Sequence, residues 1–351
     1  MSVDSVDLGV AHLEPQETIG RGGFSVVYKA LDTKLNRYVA VKVLTAAVDR
    51  ADLDRFDQEC QIHGPLSNHP NIVTIHDAGY TRTGSPFLVM EYLDGGSLTD
   101  HLEANGPMQW QQAVDWMAPI CDAVDTAHRM GVLHRDIKPA NILISPDGPK
   151  LADFGIACVS DATSPQFAVS WHHAPPEAEL NRRDERSDVY SLASTTFQLL
   201  TGHAPFWRPG EDSLAGLLHR MVSEPAPRLS PAVAPRWLDD LLQRALDKDP
   251  GRRPASAAEL RDLLLAGPSA DPGAAPTVRH LPIVAAVDAT AVQPGVVPPP
   301  HEPASLAPVA TPGPSIGSGP LAHVSTNTGS IGSGPLAHVS TNTGSIGSGP
   351  L

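Results

Sequence analysis

The sequence predicts an α+β protein with two lobes, a small β-rich lobe followed by a larger helical lobe, and then a tail without a fold. Three observations support this organisation. Apolar runs of strand length fill roughly the first hundred residues, helical periodicity follows the turn at Asp94–Gly96, and proline and glycine accumulate near the C-terminus. We therefore expect a flexible N-terminus (1–13), a folded part with lobes of about 14–93 and 94–266, and a disordered tail (267–351).

Strand-like runs predict the sheet of the first lobe. Glu17–Ala30 has the pattern of a strand, a glycine turn and a second strand, and Tyr38–Leu44 is a β-branched run. Ile72–Asp77 and Phe87–Tyr92 are apolar runs of strand length. One major helix is predicted over Asp52–His63, where apolar side chains recur at i, i+3 and i+7.

The second lobe is predicted to be helical because its apolar residues recur with helical spacing. The segments with this pattern are Gln109–Met130, Asp188–Leu200, Leu214–Met221, Trp237–Leu246 and Ala255–Leu265. Two short apolar runs, Ile142–Ile144 and Lys150–Ala152, are joined by Ser-Pro-Asp-Gly, a turn composition typical of a β-hairpin.

The composition excludes several classes of protein. The tail has 15 prolines and 12 glycines in 85 residues, and from residue 315 it repeats the 15-residue unit SIGSGPLAHVSTNTG, which has no apolar face for a solenoid. A net charge of −14 without a basic block argues against nucleic acid or an anionic membrane as the main partner. Three cysteines without a C-x-x-C pattern predict neither a disulfide framework nor a zinc site. With no long apolar run, we expect a cytoplasmic protein that does not insert into a membrane.

A glycine-rich turn between the first two strands is a candidate phosphate-binding loop. Glycines let a hairpin approach a polyphosphate closely and offer backbone N–H groups to its oxygens. The loop comprises Gly20, Arg21, Gly22, Gly23, Phe24, Ser25, Val26 and Val27. Because an ordinary hairpin turn has the same composition, this pattern is weak by itself, and it lacks the Gly-Lys-Ser/Thr ending of a P-loop.

Lys42 ends an apolar strand fifteen residues after Val27 and is one of only six lysines. Glu59 on the following helix could pair with it and hold the ammonium where phosphate oxygens bind. An exposed edge-strand lysine and a solvated helical glutamate are the alternative interpretations.

Two motifs in the middle of the chain specify the chemistry. His134–Asn141 reads HRDIKPAN, and Asp153 begins Asp-Phe-Gly twelve residues after Asn141. Phosphoryl transfer needs a carboxylate to accept the hydroxyl proton, oxygen ligands for Mg²⁺ and a cation near the γ-phosphate. Asp136 is the candidate base, Asn141 and Asp153 are the candidate metal ligands, and Lys138 is the candidate cation.

With these motifs in this order, residues of about 14–266 resemble the eukaryotic-like (Hanks-type) serine/threonine protein kinases of bacteria. The resemblance implies the two-lobed protein-kinase fold and transfer of the γ-phosphoryl group of Mg·ATP, with Mn²⁺ as an alternative metal, to Ser or Thr hydroxyls of protein substrates. It also implies an adenine slot with Met90 as gatekeeper, Glu91–Leu93 as hinge, Ala40 and Val27 above the base and Leu143 below. Arg253 would pair with Glu177, and Asp188 would anchor the backbone at His134 and Arg135.

Two features depart from the family pattern or bear on regulation. Ser25 replaces the third loop glycine. The segment Val169–Glu177 differs from the usual end of an activation segment, and we expect this difference to affect which peptide substrates bind. The resemblance makes Arg135 a receptor for an activation-loop phosphate, and we expect autophosphorylation at Thr163 or Ser164, in a transient homodimer. The other hydroxyls of that loop are Ser160 and Ser170. Threonines of the tail repeats are either further sites, read by a phosphothreonine-binding partner, or plain spacer.

Two other function classes are consistent with a fold of this type. A pseudokinase scaffold would be expected to lack Lys42, Asp136 or Asp153, and all three are present. A small-molecule kinase would not require the Pro176–Glu177 segment with its partner Arg253.

Overall fold

The computed structural model of the chain describes residues 8–22, 25–45, 53, 56, 60–61, 64–154, 171–180, 182–210 and 213–267. The predicted disordered tail lies outside these residues except for Gly267. The predicted phosphorylation sites of the activation loop also lie outside them. The predicted flexible N-terminus is described from Leu8, and both Leu8 and Leu13 are buried against the first lobe's sheet.

The first lobe is built on one antiparallel sheet of five strands in the order β1-β2-β3-β5-β4. The strands are β1 (Leu13–Arg21), β2 (Ser25–Asp32), β3 (Arg37–Leu44), β4 (Ile75–Tyr80) and β5 (Pro86–Glu91). Side chains alternate between the faces of a strand. In β3, Val39, Val41 and Val43 therefore pack on one face, while Ala40 and Lys42 lie on the other. The predicted β-rich lobe is confirmed.

The structure corrects the predicted start of β4. This strand begins at Ile75, not at Ile72, because the preceding residues pair with the second lobe instead. Val73 donates its backbone N–H to the carbonyl of Leu151 at 2.9 Å, and Ile72 forms a parallel bridge with the same residue. Within the predicted helix Asp52–His63, the described positions 53, 56, 60 and 61 are helical, and Phe56 is buried beneath the sheet.

The second lobe is helical, as predicted. Its helices are α1 (Leu98–Asn105), α2 (Trp110–Arg129), α3 (Glu185–Thr201), α4 (Leu214–Ser223), α5 (Arg236–Ala245) and α6 (Ala257–Ala266). Helix α1 was not predicted, although its capping box is visible in the sequence: Ser97 accepts from the backbone of Asp100, whose carboxylate accepts in return. Helix α3 starts earlier than predicted because Asp184 caps its first turn.

The core of the second lobe forms where α2 and α3 cross beneath a short hairpin. Met117 and Ile120 of α2 and Leu192 of α3 are fully buried in this cluster. The predicted hairpin is present as β6 (Ile142–Ser145) and β7 (Gly148–Leu151), which pair antiparallel. This packing places the loop that precedes β6 and the residues that follow β7 side by side.

The described residues include neither a membrane-spanning helix nor a metal cluster of three or more protein ligands. Within the described ranges, no helix has both the length and the apolar character needed to cross a bilayer. The same residues contain no cluster of three or more His, Cys, Asp or Glu side chains arranged around a metal position. A site with two protein ligands that phosphate oxygens complete is a different kind of site.

Candidate active site

The loop between α2 and β6 holds three predicted site residues in mutual contact. Lys138 Nζ donates to Asp136 Oδ2 at 2.8 Å. Asn141 Nδ2 donates to the carbonyl of Asp136 at 2.8 Å and to its Oδ2 at 3.0 Å. Because both amide bonds use the nitrogen of Asn141, its side-chain oxygen is the end suited to a cation. One carboxylate, one cation and one amide therefore occupy a single small volume, as the sequence suggested.

Asp188 of α3 fixes the backbone of this loop from below. Its carboxylate accepts the backbone N–H groups of His134 at 2.8 Å and Arg135 at 2.9 Å, and it also binds His128 Nε2 at 2.8 Å. Burial raises the pKa of Asp188, but the hydrogen bond from His128 outweighs burial and holds the pKa below its ordinary value. The predicted anchoring role of Asp188 is confirmed by these contacts, whereas sequence reasoning missed His128.

His134 joins this loop to the residues before Asp153. Its Nε2 bonds with the carbonyl of Ala152 at 3.0 Å, and its ring packs on Phe154 with centroids 4.5 Å apart. Burial lowers the pKa of His134, which favours the neutral ring. Asp153 has a φ of +62°, a conformation that non-glycine residues rarely adopt and that often marks functional sites.

Lys42 contacts the second half of the site. Its Nζ lies 2.7 Å from Asp153 Oδ1, and the Lys42 side chain is 12% exposed. Burial raises the pKa of Asp153, but the Lys42 ammonium outweighs it and keeps the pKa below the ordinary value. Glu59, the predicted partner of Lys42, lies outside the described residues. The backbone N–H of Ala152 donates to the carbonyl of Asn141 at 2.8 Å, so Asp153 follows directly beside the loop that carries Asp136.

The residues predicted to enclose an adenine ring form one apolar cluster on the Lys42 side of the sheet. Ala40 and Met90 are paired across β3 and β5, and both are buried. Val27, Leu93 and Leu143 are among the partly buried members of the same cluster. Glycine-loop residues flank it, since Gly20 pairs with Val27 and the N–H of Gly22 donates to the carbonyl of Ser25 at 2.8 Å. Arg21 ends β1, whereas Gly23 and Phe24 lie outside the described residues.

The described end of the activation segment is tied to the second lobe. Arg253 binds both carboxylate oxygens of Glu177, at 2.7 and 2.9 Å, which confirms the predicted pair. His173 is buried, and its Nδ1 lies 2.9 Å from Ser194 Oγ. Burial lowers the pKa of His173 to about 4, so this ring packs as a neutral group. Ser170, one of the hydroxyls of the activation loop, lies outside the described residues.

The donor set fits a nucleotide with a divalent cation. An Asp carboxylate and an Asn amide oxygen are hard oxygen ligands of the kind that Mg²⁺ prefers beside phosphates. Lys42 and Lys138 bring positive charge to the same cleft, and both are now paired with carboxylates at 2.7 and 2.8 Å. Anionic oxygens could exchange with those carboxylates without leaving a buried charge alone.

Comparison with known proteins gives the same result. A family model described as a protein kinase domain matches residues 13–263. Serine/threonine-protein kinase PknK of Mycobacterium tuberculosis is 40% identical over 261 residues, which are 70% of this chain and 23% of that protein. Serine/threonine-protein kinase PknB of Mycobacterium leprae is 39% identical over 274 residues, 75% of this chain and 44% of that protein.

Among solved structures, the kinase domain of Mycobacterium tuberculosis PknI matches with a TM-score of 0.58 and 28% identity, over 75% of this chain and 98% of that one. The chain therefore spans less than half the length of these curated relatives, and nearly the whole length of a solved kinase domain. The ordered motifs, the two-lobed architecture and the family match over 251 residues agree. The chain belongs to the protein kinase family.

Proposed function

We propose that this chain is a serine/threonine protein kinase that transfers the γ-phosphoryl group of ATP to hydroxyls of protein substrates. The observation that supports this proposal most strongly is the pairing of Lys42 with Asp153 beside the contacts among Asp136, Lys138 and Asn141. The names of the relatives PknK and PknB support the serine/threonine class. The lysine two positions after Asp136 supports it too, by resemblance.

Each residue has a defined task in this proposal. Asp136 orients the substrate hydroxyl and accepts its proton, while Lys138 neutralises charge that develops on the phosphoryl oxygens. Lys42 positions the α- and β-phosphates, with Glu59 as its partner when nucleotide is bound. Asn141 and Asp153 hold Mg²⁺, or Mn²⁺ as the alternative, which supplies charge neutralisation at the phosphates when bound. The glycine loop from Gly20 to Val27 covers the phosphates, and Ala40, Met90, Glu91, Leu93 and Leu143 enclose the adenine.

Regulation and location complete the proposal. Autophosphorylation at Thr163 or Ser164, in a transient homodimer, would give Arg135 a phosphate to bind. The tail threonines serve as spacer or as sites for a phosphothreonine-binding partner. A cytoplasmic location is supported by Cys121, a buried thiol outside any disulfide, which suits a reducing compartment.

The test is incubation of the purified chain with γ-labelled ATP, Mg²⁺ and a general protein substrate, in parallel with Lys42→Met. We expect label on serine and threonine of the wild type and at least a hundredfold less in the variant. Wild-type protein that binds nucleotide but transfers no label would instead be a pseudokinase scaffold. Transfer to a small molecule but to no protein would favour a small-molecule kinase.

A further inference from the structure

A partly buried ion pair joins the end of β5 to the hairpin of the second lobe. Lys150 Nζ donates to both carboxylate oxygens of Glu91, at 2.8 and 2.9 Å. The backbone N–H of Thr74 donates to Glu91 Oε1 at 2.7 Å. The side chains of Lys150 and Glu91 are only 15% and 21% exposed, so the pair is better shielded from solvent than a surface pair. Sequence analysis gave no sign of it, because 59 residues separate the partners.

Backbone contacts make this pair part of a three-segment junction. Thr74 and Glu91 exchange two hydrogen bonds, since the N–H of Glu91 donates to the carbonyl of Thr74 at 2.9 Å. The same connecting segment bonds to β7 through Val73 and the carbonyl of Leu151, and through Asn71, whose side chain donates to the carbonyl of Pro149 at 2.8 Å. Glu91 is therefore held to β7 directly by Lys150 and indirectly by the segment that precedes β4.

The junction controls a distance that matters for an adenine ring. Lys150 lies directly opposite Leu143 in the β6–β7 pair, and Leu143 belongs to the same apolar cluster as Ala40 and Met90. Glu91 ends the strand that contains Met90. An ion pair between Glu91 and Lys150 thus fixes the proposed hinge against the hairpin that carries the proposed floor of the slot.

The charge of Glu91 is matched to this role. Burial raises the pKa of Glu91, but hydrogen bonds from Lys150 and from the Thr74 backbone hold the pKa below the ordinary value. The carboxylate is therefore ionised at neutral pH, where Lys150 is its cationic partner.

We propose that Lys150 is a positioning residue for nucleotide binding, which acts by pairing with Glu91 and thereby sets the spacing of hinge and floor. This inference rests on the proposed function, because it concerns the same nucleotide slot. Lys150 contacts none of the residues assigned to the transfer step, namely Lys42, Asp136, Lys138, Asn141 and Asp153, in any described hydrogen bond or ion pair. Its loss should weaken nucleotide binding and spare the transfer step.

The experiment measures Mg·ADP binding by calorimetry on the full chain, and the initial transfer rate at saturating ATP. For Lys150→Met we expect a dissociation constant about fivefold to tenfold higher, within the range of couplings between residues in contact, and a saturated rate within twofold of wild type. Lys150→Arg keeps the charge and the reach, so it should bind Mg·ADP within about twofold of wild type. Arg244→Met breaks the pair with Glu259, where the side chains are 46% and 36% exposed, and serves as the matched control without effect on binding.

The outcomes separate this inference from the proposed function. The positioning role is overturned if Lys150→Met binds Mg·ADP with the wild-type dissociation constant. It is also overturned if the transfer rate at saturating ATP falls by as large a factor as the affinity for Mg·ADP. If Lys150→Met does not fold, the polar variant Lys150→Gln replaces it, and unchanged binding in folded Lys150→Gln has the same meaning. A wild-type chain that neither binds Mg·ADP nor transfers phosphate refutes the proposed function itself.

Discussion

Removal of the Arg253 guanidinium should destabilise the second lobe far more than removal of an exposed arginine that lies at the same distance from its glutamate partner. The Arg253 side chain is 0% exposed, and it binds Glu177 through two bonds. It also donates to the backbone carbonyls of Arg186 at 3.0 Å, Asp247 at 2.8 Å and Lys248 at 3.4 Å, and its guanidinium lies over the ring of Tyr190. Arg253→Met removes all of these bonds and leaves the Glu177 carboxylate, itself 11% exposed, without its cation.

The size of the expected loss in unfolding free energy follows from the burial of the Arg253–Glu177 pair. Breaking a buried ion pair by removal of one partner costs about 3–5 kcal/mol, because the remaining charge is uncompensated. The control is Arg244→Met, since Arg244 also lies 2.7 Å from a glutamate, Glu259, but with both side chains more than a third exposed. An exposed pair contributes about 0–1 kcal/mol. The two variants share the ion-pair distance and differ in burial.

The assay is urea unfolding of the full chain, followed by tryptophan fluorescence at pH 7 and fixed salt. We expect the free energy of unfolding to fall by about 3–5 kcal/mol in Arg253→Met and by at most about 1 kcal/mol in Arg244→Met. Adding Glu177→Gln to Arg253→Met should restore about 1–2 kcal/mol, because the uncompensated charge is gone. Equal losses in the two single variants, or no recovery in the double variant, would refute this reasoning.

Three further perturbations test the same structure. First, acid should weaken the fold, because the pKa of Glu177 is lower in the folded than in the unfolded state. The stability that the Glu177 carboxylate contributes is complete above the ordinary glutamate pKa of 4.5 and is lost as the pH falls through the folded-state pKa. Urea midpoints between pH 6 and 3 should therefore fall less steeply in Arg253→Met than in the wild type, and parallel curves would contradict the assignment. Second, Asp188→Ala leaves the backbone N–H groups of His134 and Arg135 without their acceptor, at a cost of about 1–3 kcal/mol for each buried donor. Urea unfolding measures this loss of stability, with Asp188→Asn as the milder control. Third, in Gly95→Ala, the new Cβ would clash with the Ile144 carbonyl oxygen, so we expect the free energy of unfolding to fall by about 1–3 kcal/mol and the melting temperature to fall with it. Wild-type stability of Gly95→Ala would show that this approach of the two segments is not tight.

The contacts among the proposed transfer residues could be predicted from the sequence because these residues are grouped in short motifs. Asp136, Lys138 and Asn141 lie within six positions, and one loop brings them into contact whatever the surrounding packing. The cluster that contains Ala40 and Met90 also follows from local pattern, because alternation along neighbouring strands places those side chains on one face.

The remaining features depend on contacts that spacing does not reveal. The pair of His128 with Asp188 joins positions 60 apart, and the register of α2 against α3 brings them together. The predicted start of β4 was wrong because the run Ile72–Thr74 has strand character in the sequence. In the structure, however, its backbone forms hydrogen bonds with β7 and with Glu91. Helix α1 was missed because it buries only Leu98 and Leu102, too few for a clear helical stripe.

The central claim is that Asp136 acts in the transfer step and not in nucleotide binding. The most direct measurement compares Asp136→Asn with the wild type in Mg·ADP affinity and in the single-turnover rate of phosphoryl transfer. We predict a dissociation constant within about twofold of wild type and a rate lower by about 10²–10⁴, the usual contribution of a positioned acid–base group. A variant that transfers phosphate at the wild-type rate, or that loses nucleotide affinity in proportion to its rate, would contradict this assignment.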